Sequence, residues 1–169
     1  MKKILFLLWG IWLTASGCLA NQFPINVYVE EHPYKPTVVK AFSEWERAGG
    51  DAVRFRYVRS PAQLPNLIVV FSDSSDRSEN HKQAVGLIST KAQTGIGTSA
   101  KANITIWLRS SDNTKMSDKQ IYHICLHEIG HALGLSHTQD KNDIMYPYVN
   151  EQTTLSEDDV KRFRAVFGK

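Results

Sequence analysis

The sequence has little cysteine and no block of like charge. Its two cysteines are Cys18 and Cys125, and if Cys18 is lipidated or removed, no internal disulfide can form. The net charge of +3 falls to 3 − 2 = +1 without Lys2 and Lys3, which lie in a segment we expect to be cleaved. Because lysines and arginines do not cluster among aromatic residues, the charge pattern gives no support for nucleic-acid binding. The absence of repeats and the length of 169 residues indicate one globular domain.

The first residues have the features of an export signal. Lys2 and Lys3 precede an apolar run over residues 4–13, which is too short to span a bilayer comfortably, and small residues follow it. We predict a signal peptide over residues 1–20. It resembles a lipoprotein signal cleaved before Cys18, which would attach the chain to a membrane, and ordinary cleavage after residue 20 is the alternative. The mature domain, residues 21–169, is then exported to the periplasm or cell envelope, or secreted.

Five short segments have the apolar pattern of β-strands, either alternating with polar residues or continuous. These are residues 24–30, 52–58, 66–71, 85–90 and 102–108. The third segment is continuously apolar, which favours a strand that is covered on both faces. In the fourth segment, Gly86 indicates a bulge or a close approach of another backbone.

Three further segments have the spacing of helices. The first begins near Pro36 and ends at Gly49 and Gly50. The second begins at Ser117, with Gln120 three residues later as in a capping box. The third follows Ser156 and has acidic residues in its first turn, where the helix dipole favours negative charge.

The second helix contains the pattern H-E-x-x-H-x-x-G-x-x-H, from His127 to His137. His127 and His131 are one helical turn apart and project from the same face. Gly134 can adopt a left-handed conformation, so the helix can end there and the chain can bring His137 round as a third ligand. Three neutral imidazoles around zinc leave a fourth position for water, as in catalytic sites. Glu128 lies beside the first ligand, where a general base for that water is needed.

Two other residues of this helix could be mistaken for ligands. Cys125 is two residues before His127, about 160° round the helix at ~100° per residue, so we predict a buried apolar role for it. His123 precedes His127 by one turn, but no acid equivalent to Glu128 and no third ligand accompany that pair. We interpret His123 as peripheral to the metal, with metal binding as the alternative.

Met145 lies eight residues after His137. Together with the histidine pattern, this methionine indicates a resemblance to a known family. Three histidines followed by a methionine turn resemble the metzincin metallopeptidases. Within that group, residues 137–147 keep the spacing of the matrixin sequence His-Ser-x-Asp-Pro-x-Ala-Leu-Met-Tyr-Pro without a gap. Residues 155–168 and 41–45 resemble the last and first helices of the matrixin catalytic domain. Of these similarities, only the helix with the histidine pattern and the methionine turn are highly specific for the family.

The resemblance implies an α/β (α+β zincin) fold. Its twisted, five-stranded mixed sheet would have one antiparallel edge strand, residues 85–90, and would pack on the zinc-binding helix, a first helix and a C-terminal helix. Gly134 and Met145 would support the site, with Met145 forming an apolar floor beneath the ligands. The substrate would add as a strand to the edge that contains Gly86 and Leu87. The wall of a substrate pocket would be formed by Tyr146, Pro147 and Tyr148.

The implied function is a monomeric, zinc-dependent endopeptidase that cleaves protein or peptide substrates. Glu128 would take a proton from a zinc-activated water and return it to the leaving amine. The alternative is a metzincin-like module at the cell envelope that holds zinc and does not cut. One catalytic zinc is expected; the polar segment 72–82 fits no loop motif, so a structural calcium or second zinc is not supported. A propeptide with a blocking cysteine is not recognisable between residue 21 and the first strand.

Overall fold

The computed structural model describes residues 24–50, 52–74, 86–91 and 101–167, with the backbone alone for residues 86–91 and 101. The predicted signal peptide with Cys18, and most of the polar segment 72–82, lie outside the described residues. Within these ranges no helix has the length and apolar character needed to cross a membrane.

Four parallel strands form the main part of the sheet, in agreement with the predicted α/β class. The strand order is β2-β1-β3-β5-β4, and β4 pairs antiparallel with β5. The strands are β1 (Ile25–Val29), β2 (Phe55–Tyr57), β3 (Leu67–Ser72), β4 (Gly86–Lys91) and β5 (Lys101–Trp107).

One face of the sheet carries the core. Alternate residues of β1, β3 and β5 are buried, and the register places Val27, Leu67 and Ala102 side by side on that face. The prediction that the third strand is covered on both faces is wrong, because Ile68 and Val70 are only partly buried. Their apolar side chains lie on the opposite face, which is less covered.

Three helices complete the domain: α1 (Lys35–Gly49), α2 (Asp118–Ala132) and α3 (Glu157–Phe167). The predicted capping box of α2 is confirmed, since the Gln120 amide donates to Ser117 Oγ at 3.2 Å and the Ser117 amide donates to Gln120 Oε1 at 2.9 Å. Gly50 follows α1 with a φ of 61°, as expected for its predicted end.

Trp45 of α1 connects all three helices. Its side chain is fully buried, and its Nε1 donates to the Leu126 carbonyl of α2 at 3.0 Å. Its ring lies edge-on to Phe163 of α3, with centroids 5.2 Å apart. One aromatic side chain of α1 therefore contacts both the helix that carries the histidines and the C-terminal helix.

Candidate metal centre

Three histidine side chains converge at the end of α2. The His137 Nε2 atom lies 3.3 Å from Nε2 of His127 and 3.1 Å from Nε2 of His131. Three nitrogens bound tetrahedrally to zinc at ~2.0–2.1 Å would be separated by about 3.3 Å. In the part of the chain that the structure describes, this is the one cluster of three histidine, cysteine or acidic residues whose ligand atoms lie within 4.8 Å of one another. The donor set and its spacing both fit zinc.

Backbone carbonyls orient the two histidines of α2. His127 Nδ1 lies 2.7 Å from the Ile144 carbonyl, and His131 Nδ1 lies 2.8 Å from the Leu135 carbonyl. Because a carbonyl only accepts hydrogen bonds, each Nδ1 carries the proton and each Nε2 presents a lone pair to the centre. These contacts select the tautomer that a metal requires.

Burial keeps these imidazoles neutral. It lowers the pKa of His127 to about 3, with the neighbouring His131 contributing, and the pKa of His131 to about 4. Burial also lowers the pKa of His137. The three side chains are therefore in the form that binds a metal at neutral pH.

Gly134 allows the chain to turn back at the end of α2. Its φ is 92°, a conformation that strains residues with a side chain. Its amide donates to the His131 carbonyl at 2.9 Å, and the Leu135 amide donates to the Gly130 carbonyl at 3.0 Å. This pair of bonds is a Schellman motif. It places the Leu135 carbonyl against His131 and directs the following residues towards His137.

Glu128, which follows the first histidine in the sequence of α2, is buried. Only 5% of the residue is exposed, and burial raises the pKa of its carboxyl to about 7. A carboxyl group with a pKa near neutrality exchanges its proton readily at physiological pH, which is the property required of a general acid and base.

Met145 packs against Gly130 of α2. It is fully buried, and its carbonyl accepts a hydrogen bond from the Thr138 amide at 3.0 Å. A Cβ atom at Gly130 would overlap the Met145 sulfur and would lie 3.1 Å from the Trp45 ring. Gly130, the residue before His131, was not identified from the sequence, because its role depends on contacts with Met145 and Trp45, which are distant in the chain.

Asp159 of α3 supports the same turn and was also missed. Its fully buried carboxylate accepts hydrogen bonds from the backbone amides of Ile144 at 2.8 Å, Met145 at 3.4 Å and Ser156 at 3.0 Å. Ile144 in turn orients His127 through its carbonyl. The Ser156 hydroxyl, which accepts from the Asp159 amide at 2.9 Å, completes a Ser-x-x-Asp cap. The cap was readable in the sequence; the contact with residues 144 and 145 was not.

The residues predicted to line a substrate pocket lie on two segments. Tyr146 is partly buried and Pro147 is exposed, while Tyr148 is 64% exposed with its ring centroid 5.4 Å from that of Tyr146. Gly86 and Leu87 lie on β4, opposite Ile106 and Thr105 of β5 respectively.

The two other candidates on α2 are both buried. Cys125 is 1% exposed, and burial raises the pKa of its thiol, so it is a neutral core residue. His123 is also 1% exposed, with Nδ1 3.1 Å from the Gln152 carbonyl and its ring centroid 6.2 Å from that of His127. His123 does not belong to the three-histidine cluster.

Comparison with known proteins identifies the family. The Matrixin family model matches residues 21–168. The chain belongs to the matrixin family. Matrixins are zinc metallopeptidases, so the family and the donor set agree on the metal. The resemblance predicted from His127 to Met145 is confirmed.

Individual relatives match parts of this domain. Interstitial collagenase B of Mus musculus is 31% identical over 77 residues, which cover 44% of this chain and 16% of that protein. Matrix metalloproteinase-18 of Xenopus laevis is 27% identical over 141 residues, 78% of this chain and 28% of that protein. Metalloendoproteinase 1 of Glycine max is 38% identical over 68 residues, 37% of this chain and 22% of that protein. The matched regions thus span less than a third of each relative.

A solved structure shares the fold. Myroilysin superposes with a TM-score of 0.54 at 18% identity, covering 86% of this chain and 80% of that chain. A second structure of myroilysin gives a TM-score of 0.55 at 16% identity, covering 86% of this chain and 83% of that chain. At this identity the likeness concerns the fold alone.

Proposed function

We propose that this matrixin is a zinc-dependent endopeptidase that hydrolyses peptide bonds in protein or peptide substrates. The observation that carries the proposal is the convergence of three Nε2 atoms at the end of a helix that also carries the buried carboxyl group of Glu128. His127, His131 and His137 would hold one zinc ion, and Glu128 would act as general base and acid.

The reaction needs a Lewis acid and a group that moves one proton. Bound zinc would supply the first, by polarising the substrate carbonyl and lowering the pKa of a water molecule to ~7. Glu128 supplies the second: its carboxylate takes a proton from the attacking water and delivers it to the nitrogen of the departing amine.

The substrate backbone would bind beside β4. This strand is terminal in the sheet order, so one of its sides is not paired within the described sheet. An extended peptide can add to such an edge through main-chain hydrogen bonds. We propose that Gly86 and Leu87 contribute to this edge, and that Tyr146, Pro147 and Tyr148 contact the side chain that follows the cleaved bond.

The substitution Glu128→Gln tests the assignment. Glutamine keeps the shape of the side chain but cannot accept and return a proton, so kcat/KM on a cleavable peptide should fall by ~10²–10⁴-fold. Zinc content should stay at one per chain. The exposed Glu157→Gln is the matched control and should cut like the wild type. Cleavage by E128Q at the wild-type rate would refute the role of Glu128, and a fully zinc-loaded wild type that cuts nothing in a broad peptide library would favour the non-cleaving module.

We further propose that the protein is exported as a monomer to the periplasm or cell envelope, or is secreted. The proposal of export rests on the order of basic, apolar and small residues over positions 1–20. Mass spectrometry of the mature N-terminus tests it: a lipid-modified Cys18 at the N-terminus supports membrane attachment, and an unmodified N-terminus at residue 21 supports simple cleavage. Retention of Met1 in the mature protein would contradict export by this signal.

A further inference from the structure

His137 differs from the other two histidines in how it is held. It is exposed and lies on the segment after α2, and no carbonyl within the described ranges contacts its Nδ1. Its position is set by the backbone on either side of it. The Thr138 amide donates to the Met145 carbonyl at 3.0 Å, and the Ser136 carbonyl accepts a hydrogen bond from Nη2 of Arg162.

Arg162 makes this contact from within α3. Its side chain is partly buried, and its other terminal nitrogen, Nη1, is fully buried without a hydrogen-bond partner in the described part of the chain. A guanidinium is planar and always charged, so its hydrogen bond to a carbonyl is charge-assisted and has a fixed direction. Arg162 is also one turn from Asp159, which holds Ile144 and Met145. One face of α3 thus contacts both segments that position the histidines.

We propose that Arg162 is a positioning residue for the metal centre, acting through Ser136 on His137. Fixing the Ser136 carbonyl restricts rotation of the backbone before His137, and this restricts where its Nε2 can lie. Because zinc–nitrogen bonds are ~2.0–2.1 Å long with little tolerance, a small rotation would move this nitrogen out of bonding range. The inference rests on the proposed zinc site.

Arg164 provides a matched control on the same helix. Its Nε donates to the Ala48 carbonyl of α1 at 3.0 Å. Both arginines therefore join α3 to a backbone carbonyl of another segment, but only Arg162 contacts a residue next to a ligand. Methionine at either position keeps much of the apolar stem and removes the guanidinium.

The decisive experiment measures zinc affinity by chelator competition in a double-mutant cycle. Loss of a group that orients a ligand typically weakens metal binding ~10–100-fold, and we expect Arg162→Met to do so. Arg162→Lys, which can still donate to the Ser136 carbonyl, should recover part of the loss. Arg164→Met should bind zinc like the wild type. In a His137→Ala background, Arg162→Met should have no further effect, because the ligand through which it acts is absent.

The outcomes separate a positioning role from a general effect on folding. Wild-type affinity in R162M, equal losses in R162M and R164M, or the same loss in the presence and absence of His137 would each overturn the proposal. If R162M does not fold, R162K is put through the same cycle, and an equal loss in both backgrounds would overturn it. Absence of stoichiometric zinc in the wild type would instead refute the proposed function itself.

Discussion

The metal centre is built from two regions of different character. His127 and His131 lie on α2, and each is held by one carbonyl at its Nδ1. His137 lies on the segment between α2 and α3, and among the described residues the contacts that hold it run through its neighbours Ser136 and Thr138. Helical spacing thus brings two histidines to one face of α2, although the carbonyl that orients His127 lies later in the chain, whereas the third histidine is positioned by contacts of the segment after the helix with Met145 and Arg162.

The contacts that support the segment after α2 come from the face of α3 that carries Asp159 and Arg162. Asp159 holds the backbone of Ile144 and Met145, and Arg162 holds the carbonyl of Ser136. The C-terminal helix therefore contributes no ligand but supports the loop that supplies one. Changes in α2 and α3 should accordingly have different consequences for zinc.

The largest expected effects come from removing a ligand in each region. His131→Ala removes a partly buried, oriented imidazole, and His137→Ala removes an exposed one. Both substitutions should weaken zinc binding by more than the ~10–100-fold loss that is typical when a group orienting a ligand is removed. H131A should lose more affinity than H137A, because the contact at Nδ1 of His131 pre-orients its ring. Chelator competition at pH 7 measures both. An equal or larger loss in H137A would break the distinction between the two regions.

A smaller effect is expected from substituting Asp159, the residue of α3 that holds the backbone of Ile144 and Met145. Asp159→Asn leaves one acceptor oxygen where the carboxylate has two and removes the charge, so the free energy of unfolding should fall by about 2–4 kcal/mol. Asp158→Asn, at the exposed neighbour, should change it by less than ~1 kcal/mol. Denaturant unfolding of the metal-free proteins compares them. If D158N and D159N behave alike, the buried contacts of Asp159 do not support the turn.

The parts of the site that could be predicted from sequence are those set by local spacing. The turn at Gly134, the capping box at Ser117 and the histidine pattern can be read from residues that lie close together in the chain. The roles of Gly130, Asp159 and Arg162 could not be predicted, because each depends on a partner in another element. The same limit explains the error at residues 66–71: an apolar run does not show which face the helices cover.

The smallest expected effect is the change in stability when Glu128 of α2 is substituted. Its pKa rises from 4.5 to about 7 on burial, so the folded protein binds this proton more tightly than the unfolded chain. Its favourable contribution is complete below pH 4.5 and is lost as the pH rises through 7. At pH 8 the wild type must bury a charged carboxylate, and E128Q removes this cost. Because burying the glutamine amide also has a cost, we expect the metal-free E128Q protein to be more stable by about 1–2 kcal/mol.

Denaturant unfolding of metal-free wild type and E128Q at pH 5 and pH 8 measures this difference. Histidine titration is common to both proteins and cancels. Since Glu128 lies on α2 and His137 lies beyond the end of that helix, we expect the difference to persist in a His137→Ala background. A pH-independent difference would show that burial does not raise the pKa of Glu128, and a difference that disappears in H137A would show that its burial depends on the segment that carries His137.

The central claim is that one zinc ion, held by three histidines, makes this chain a peptidase. Its most direct test is the rate of peptide cleavage by the metal-free wild type as zinc is added in known equivalents. The rate should rise linearly and reach its plateau at one zinc per chain. Absence of cleavage at full zinc occupancy, or undiminished cleavage in protein free of metal, would contradict the claim.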